Sequence, residues 1–396
     1  MQRRHFLSAL LGTAFVGSAQ AQNKKKRKST KTTPSAALHN PANSVATPEK
    51  SIIDQPVKGG VTDNLPPLKA LGEPEKWHNF EVTYRFALPE NDESEDIFAP
   101  LACDFLPLYQ RQKRLRWQGQ VACELLKLPQ NRADILKINT PAQEFFLRTA
   151  RGNVEIKMEI ALATRRFDIG RRSVSPENED ILRENLKDTN AIPNRGNVRN
   201  LALQIIGRIQ DPLAQARAIY DWIVERAHFV PQKTFDAGDA KVQIFSKTYG
   251  GNSSDIGCLF VALCRAIGIP ARNVYGVQLA DSKITSQLTL HPNWHENAHT
   301  RSEFYIPGYG WIGVDLGAVL KTSGLAAIKE IQQKRYFGFW EPNWVALHWG
   351  TLAEFLPKLP VLIAPLVTPA AKTNADIGKT KKRTPFEPKI SLRELP

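Results

Sequence analysis

The residues best placed to do chemistry are His299 and Asp315, and their spacing says how they would meet. The run His299-Thr300-Arg301-Ser302-Glu303-Phe304-Tyr305-Ile306 alternates polar and apolar residues as a half-buried strand does. Pro307-Gly308-Tyr309-Gly310 reads as a turn, and Trp311-Ile312-Gly313-Val314-Asp315 as the returning strand. Because strand side chains repeat every two residues, His299, Arg301, Glu303 and Tyr305 share one face. In an antiparallel pair closed by a short turn, Asp315 then lies opposite or diagonal to the His299 side, within reach of a hydrogen bond. An imidazole held by a carboxylate is the base and orienter of a nucleophilic triad.

A second element of interest is the helix predicted to start at Ser253. The Ser253 hydroxyl can cap an early backbone N–H, Asp255 in the first turn favours the same start, and Gly268 followed by Pro270 is a stop signal. Leu259, Phe260, Leu263 and Ile267 recur at three- and four-residue steps, so the helix buries one face. A nucleophile at such a helix start gains from the positive end of the dipole, although a serine there is also an ordinary cap.

The segment Gly250-Gly251-Asn252-Ser253-Ser254-Asp255-Ile256, running through Leu259-Phe260-Val261-Ala262-Leu263 to Gly268-Ile269-Pro270-Ala271-Arg272, resembles the nucleophile helix of bacterial transglutaminase-like proteins. That pattern reads roughly GGxCxDxxxLFVxLxRAxGIPAR. Counted back from Arg272, the family's cysteine position falls on Ser253, and Cys258 and Cys264 do not fit it. The order of nucleophile helix, His strand and GWxxVD strand is similar to the same family. The resemblance covers roughly residues 75 to 355, including Arg217 to Val224 and Phe337-Gly338-Phe339-Trp340-Glu341-Pro342-Asn343-Trp344, a motif that reads only as aromatic packing. It implies that the family's catalytic cysteine, histidine and aspartate carry over to Ser253, His299 and Asp315, with only the last two matching in type. Leu316 and Gly313 stand where family members often have proline, which reads as a second sign of relaxed constraint.

Replacing sulfur by oxygen changes the chemistry. A thiol can be held as thiolate by an imidazolium and a helix N-terminus, whereas serine has no accessible alkoxide at neutral pH. Serine works only where histidine is placed as a general base beside a suited oxyanion hole. A site shaped around sulfur would lose on the order of 4 kcal/mol or more of barrier lowering. The expectation is therefore a degenerate site with a binding or scaffold role, a pseudoenzyme on a transglutaminase-like core. The alternative is an active serine-dependent amide acyltransferase or peptidase that uses Ser253, His299 and Asp315. In either case the resemblance implies a peptide or protein substrate or ligand and no cofactor.

A rival string, His295-Glu296-Asn297-Ala298-His299, fits the zinc-protease pattern H-E-x-x-H, and His291, His295 and His299 repeat every four residues. It needs a helix, and Pro292, Asn293 and Asn297 are poor helix formers ahead of an alternating strand. A zinc metallopeptidase is kept as a third reading, with no metal expected. Cys258 and Cys264, at i and i+6 of one helix, read as buried fillers, while Cys103 and Cys123 could pair in an oxidising compartment.

The chain opens Met1-Gln2-Arg3-Arg4-His5-Phe6-Leu7, continues apolar to Val16 and reaches Ala19-Gln20-Ala21, which reads as a twin-arginine-like signal peptide over residues 1 to 21. A periplasmic or secreted location follows, with no later stretch long enough to span a bilayer. The net charge of +14 sits mostly in the ends: residues 1 to 50 carry nine Lys or Arg and one Glu, and residues 372 to 396 carry seven basic and three acidic groups. These read as a disordered basic linker over 22 to 72 and a basic disordered tail over 372 to 396. Their expected counter-charge is an anionic envelope polymer rather than nucleic acid. Alternation in Phe80 to Phe86 and Asn153 to Thr164 predicts a β-rich, sandwich-like domain over 75 to 170. Asp211-Pro212 starts a helix with Leu213, Ala216, Ile219, Tyr220, Ile223 and Val224 on one face, inside a papain-like core over 190 to 355. The fold class expected is α+β.

Overall fold

A computed structural model describes residues 76–88, 95–100, 102, 109–124, 144–167, 176–231, 238–322, 333–349, 370–373 and 388–396. All belong to the compact unit Ser51–Pro396. The expected signal peptide, the linker over 22 to 72, the basic run 379 to 383 and Cys103, with its pairing to Cys123, lie outside the described residues.

The first strands are β1 (Trp77–Ala87), β2 (Glu95–Pro100), β3 (Gln110–Glu124) and the long β4 (Glu144–Ala163). Next come β5 (Arg165–Arg166), α1 (Glu179–Glu184), α2 (Asn197–Ile206), α3 (Pro212–Arg226), β6 (His228–Phe229), α4 (Ala240–Ser246), β7 (Gly250–Gly251) and α5 (Ser253–Ala266). The remainder is β8 (Ala271–Gln278), β9 (Ala298–Ile306), β10 (Gly310–Val314), α6 (Leu316–Lys321), β11 (Phe339–Trp340), β12 (Trp344–Trp349), β13 (Ala370–Thr373) and β14 (Lys389–Leu395).

The chain is α+β with two main sheets. In the first, β4 pairs with β3 along one edge and with β1 and β2 in succession along the other, all antiparallel. Alternation sends Phe80, Val82, Tyr84 and Phe86 of β1, with Ile156, Met158 and Ile160 of β4, to one buried face. That face packs on the second sheet, β10-β9-β8-β12, through Tyr275, Val277, Val345 and Leu347. The helices cover the other side, where Phe304, Ile312 and Val314 join the helix core. The β-rich region and the core thus share an interior rather than meeting at a linker.

α3 forms as its signals say: the Asp211 side chain accepts from the Ala214 N–H at 2.8 Å, Pro212 opens the helix, and all six expected apolar residues are buried. α5 departs from expectation. Every residue but Asp255 and Arg265 is buried, so it is a central helix enclosed on all sides rather than one with a single buried face.

The stretch 372 to 396 is not wholly a tail. β14 pairs antiparallel with β1, from Asn79 opposite Leu395 to Arg85 opposite Lys389, and Ile390 and Leu392 pack on the inter-sheet core. Counting charge over the whole stretch averaged away the alternation in its last seven strand residues. Deleting residues 388–396 is expected to cost about 2–4 kcal/mol, from two partly buried aliphatic side chains and an uncovered edge. Urea unfolding reads this directly; an unchanged midpoint would mean the strand contributes nothing to stability.

Candidate active site

The site is built where α5 begins. Its cap is Asn252, not Ser253 as the sequence suggested. Asn252 Oδ1 accepts from the N–H groups of Ser254, at 2.7 Å, and Asp255, at 3.0 Å, while the Asp255 carboxylate accepts from the Asn252 N–H at 3.1 Å. The neighbouring asparagine does the capping because its amide oxygen reaches both donors, and Ser253 becomes the first helical residue, released from that duty. Gly251 is required at the turn: its φ is 146°, and a Cβ would meet the Asp255 carboxylate at 2.4 Å.

Ser253 is 4% exposed, and its Oγ accepts from the Thr300 N–H on β9 at 3.0 Å. Next to it, the Ser254 and Thr300 hydroxyls meet at 2.7 Å. His299, two residues into β9, turns its Nε2 to Asp315 Oδ1 at 2.7 Å. The pairing of Val314 with Ser302 sets Asp315 diagonal to His299. Asp315 also caps α6, Oδ1 accepting from the Ala318 N–H at 2.9 Å, a second role the sequence reading missed. The Nδ1 of His299 is buried without a hydrogen-bond partner.

Gly317 joins the two halves of the site. A Cβ there would stand 2.7 Å from His299 Cε1 and 2.9 Å from Ser253 Cβ, so ring and serine face each other across the gap that the missing side chain leaves. Ser253 makes no hydrogen bond to His299: its oxygen accepts from the Thr300 N–H, and the His299 Nδ1 has no partner. The pocket bordering His299, Asp315 and Lys321 holds about 20 Å³, space for one water.

Asp315 is further committed. Arg301, two residues along the same face of β9, donates from Nε to Asp315 Oδ2 at 2.8 Å. Arg301 is itself held by the Glu341 carbonyl at 3.0 Å and Asn343 Oδ1 at 3.3 Å, and its guanidinium lies 4.7 Å from the Trp344 ring centroid. Trp344 donates to the His299 carbonyl at 3.0 Å and Trp340 to the Val314 carbonyl at 3.1 Å. The motif Phe337 to Trp344 is therefore the brace behind histidine and aspartate, a role that its aromatic spacing did not disclose. Gly313 belongs to the same packing, since a Cβ would meet the Trp340 indole at 2.7 Å, so its small size is demanded rather than a sign of relaxed constraint.

Electrostatics follow from burial. Burial is the largest influence on His299 and pushes its pKa below the ordinary imidazole value; Asp315 opposes this, and Lys321 and Arg301 add to it. Burial by itself would raise the Asp315 carboxyl, but His299 and Arg301 outweigh it and hold it well below the usual carboxylate range. Asp315 is thus ionised and accepts only, which requires Nε2 of a neutral His299 to carry the proton and leaves Nδ1 as a bare lone pair. Cys258 and Cys264 are fully buried thiols, not disulfides, and burial pushes both pKa values up, out of nucleophilic range.

The H-E-x-x-H string is not helical. Trp294–Asn297 forms a single 3-10 turn and His299 lies on β9, so the two histidines share no helical face. Among the described residues no group of three or more His, Cys, Asp or Glu is placed to hold a metal. The zinc-peptidase reading is corrected accordingly.

Residues 199–316 match the transglutaminase-like superfamily. That span contains Ser253, His299 and Asp315, and the core of the fold is transglutaminase-like. An uncharacterized protein from Haemophilus influenzae is 32% identical over 196 residues, 45% of this chain and 53% of that relative, so the chain spans about half the relative's length. Among solved structures, the chain is similar to a candidate cysteine protease from Cytophaga hutchinsonii, with TM-score 0.48 and 15% identity over 81% of this chain and 92% of that one. It is also similar to the periplasmic domain of TgpA from Pseudomonas aeruginosa, with TM-score 0.33 and 18% identity over 65% and 91% of the two chains. Among the described residues no helix is long and apolar enough to cross a membrane.

Proposed function

We propose that this chain is an exported transglutaminase-like protein, periplasmic or secreted, whose core over about 190 to 355 binds a peptide or protein ligand without catalysis at Ser253. In this reading serine has replaced the family's cysteine, and the β-rich region over about 75 to 170 buttresses the core. The observation that carries it is the unlinked pair. Ser253 Oγ accepts from the Thr300 N–H and its hydroxyl does not donate to His299 Nδ1, the ring nitrogen left as a base, which has no partner.

One observation favours a second reading. His299 is neutral, oriented by Asp315 and open at Nδ1, which is the protonation state a serine general base requires. A rotation of Ser253 toward Gly317 would then build a serine-dependent acyltransferase or peptidase. A fluorophosphonate probe separates the two. The full chain is expected to show no labelling at Ser253 above that of Ser253→Ala, and labelling that requires both Ser253 and His299 would replace the binding reading with the enzymatic one.

A further inference from the structure

Away from Ser253, His299 and Asp315 lies a cavity of about 520 Å³, within the range of ligand sites. Its walls come from β1 and β14, from α3, from the loop at 281–284 and from the segment 334–343. Phe337 and Phe339 supply apolar surface, each with a guanidinium over its ring: Arg217 at 5.0 Å from Phe337 and Arg166 at 5.0 Å from Phe339.

The polar groups of the lining are unequally satisfied. Two of its three acids already have donors: Glu341 accepts from Ser282 Oγ at 2.7 Å and the Lys283 N–H, and Asp281 accepts from the Leu290 N–H at 2.6 Å, while Glu394 is exposed and lies 3.7 Å from His78, too far for a hydrogen bond. Arg217 is paired with Asp221 at 2.8 Å. Arg335 is different. It is partly buried and makes no hydrogen bond or ion pair among the described residues, and its Nε is shielded from solvent without a partner. A guanidinium held in that state costs free energy that an anionic acceptor would recover. The unmet demand of the cavity is therefore for a carboxylate beside an apolar group.

We propose that this cavity binds a carboxylate attached to an aromatic or branched apolar side chain, the chemistry shared by a peptide C-terminus and a free N-acyl amino acid, with Arg335 as the principal donor. The cavity shares Glu341 and Asn343 with the small pocket beside His299 but is not lined by Ser253, His299 or Asp315, and the proposal stands whether or not Ser253 reacts. Calorimetric titration of the full chain with N-acetylphenylalanine, N-acetylphenylalanine amide and a tripeptide ending in phenylalanine tests it. The acid is expected to bind at least about tenfold tighter than the amide, a preference that shrinks with salt. A tripeptide that binds tighter than the single residue marks a peptide end as the source, and equal or weaker binding marks the free acid. Arg335→Gln is expected to abolish the preference for acid over amide without lowering the melting temperature, because it removes a charge that has no partner among the described residues; Arg335→Lys should keep part of it. The proposal fails if acid and amide bind alike, if the acid shows no saturation up to about 10 mM, or if Arg335→Gln retains the preference.

Discussion

Glu303→Gln is expected to lose about 3–5 kcal/mol of stability, the largest effect of any single conservative change in the core. Glu303 is fully buried on β9, bonded to Arg165 through Oε2 at 2.6 Å and to Arg272 through Oε1. Both arginines are buried, Arg165 with its guanidinium 4.3 Å from the Trp340 ring centroid and Arg272 3.8 Å from that of Trp311. A neutral amide can satisfy part of the hydrogen bonding but leaves two desolvated cations without a counter-charge. Replacing all three residues together by apolar ones of similar size should recover much of the loss. A loss under about 1 kcal/mol would show that water reaches the guanidiniums.

The same triad predicts acid sensitivity. Burial by itself would raise the Glu303 carboxyl, but Arg272 and Arg165 overcome it and hold its pKa below the ordinary glutamate value. With the folded pKa below the unfolded one, the unfolded chain binds the proton more tightly. The stabilisation is therefore full above the unfolded value, about 4.3, and is lost as pH falls through the folded one. Thermal melts from pH 7 down to about 3 should fall more steeply for the parent than for Glu303→Gln.

Ser253→Cys is expected to gain a thiol that iodoacetamide alkylates near pH 7 at least about tenfold faster than an ordinary exposed thiol. The position keeps what a thiolate needs: the first turn of α5 and the His299 ring, whose Cε1 lies across Gly317 from Ser253 and whose Nδ1 has no partner. Cys258 and Cys264 give a low background, being buried with raised pKa values. Adding His299→Ala should slow alkylation about tenfold by removing the proton acceptor. An introduced thiol that reacts no faster than a surface cysteine would mean the pocket no longer prepares a nucleophile at all.

How much of this was legible in the sequence depended on how local each cause was. Alternation from His299 to Ile306, the turn at Pro307–Gly310 and the Asp211-Pro212 helix start are short-range signals, and β9, β10 and α3 follow them. The choice of Asn252 over Ser253 as cap turns on which of two adjacent polar side chains reaches the backbone, a matter of about an ångström that propensity does not resolve. The Arg301–Asp315 pair and the bracing by Trp340 and Trp344 join residues about 14 to 45 positions apart, and no local pattern reports them. β14 was hidden by its basic neighbours.

The partnership of β14 with β1 bears on how the chain is made. Residues 79 and 395 sit side by side in one sheet, so β1 leaves the ribosome long before its partner and has one edge unclaimed until β14 emerges. A nascent chain in that condition offers a ready template for strand addition by other molecules. A frameshift or stop ahead of Lys389 would strip the sheet of β14 while leaving Ser253, His299 and Asp315 untouched in sequence.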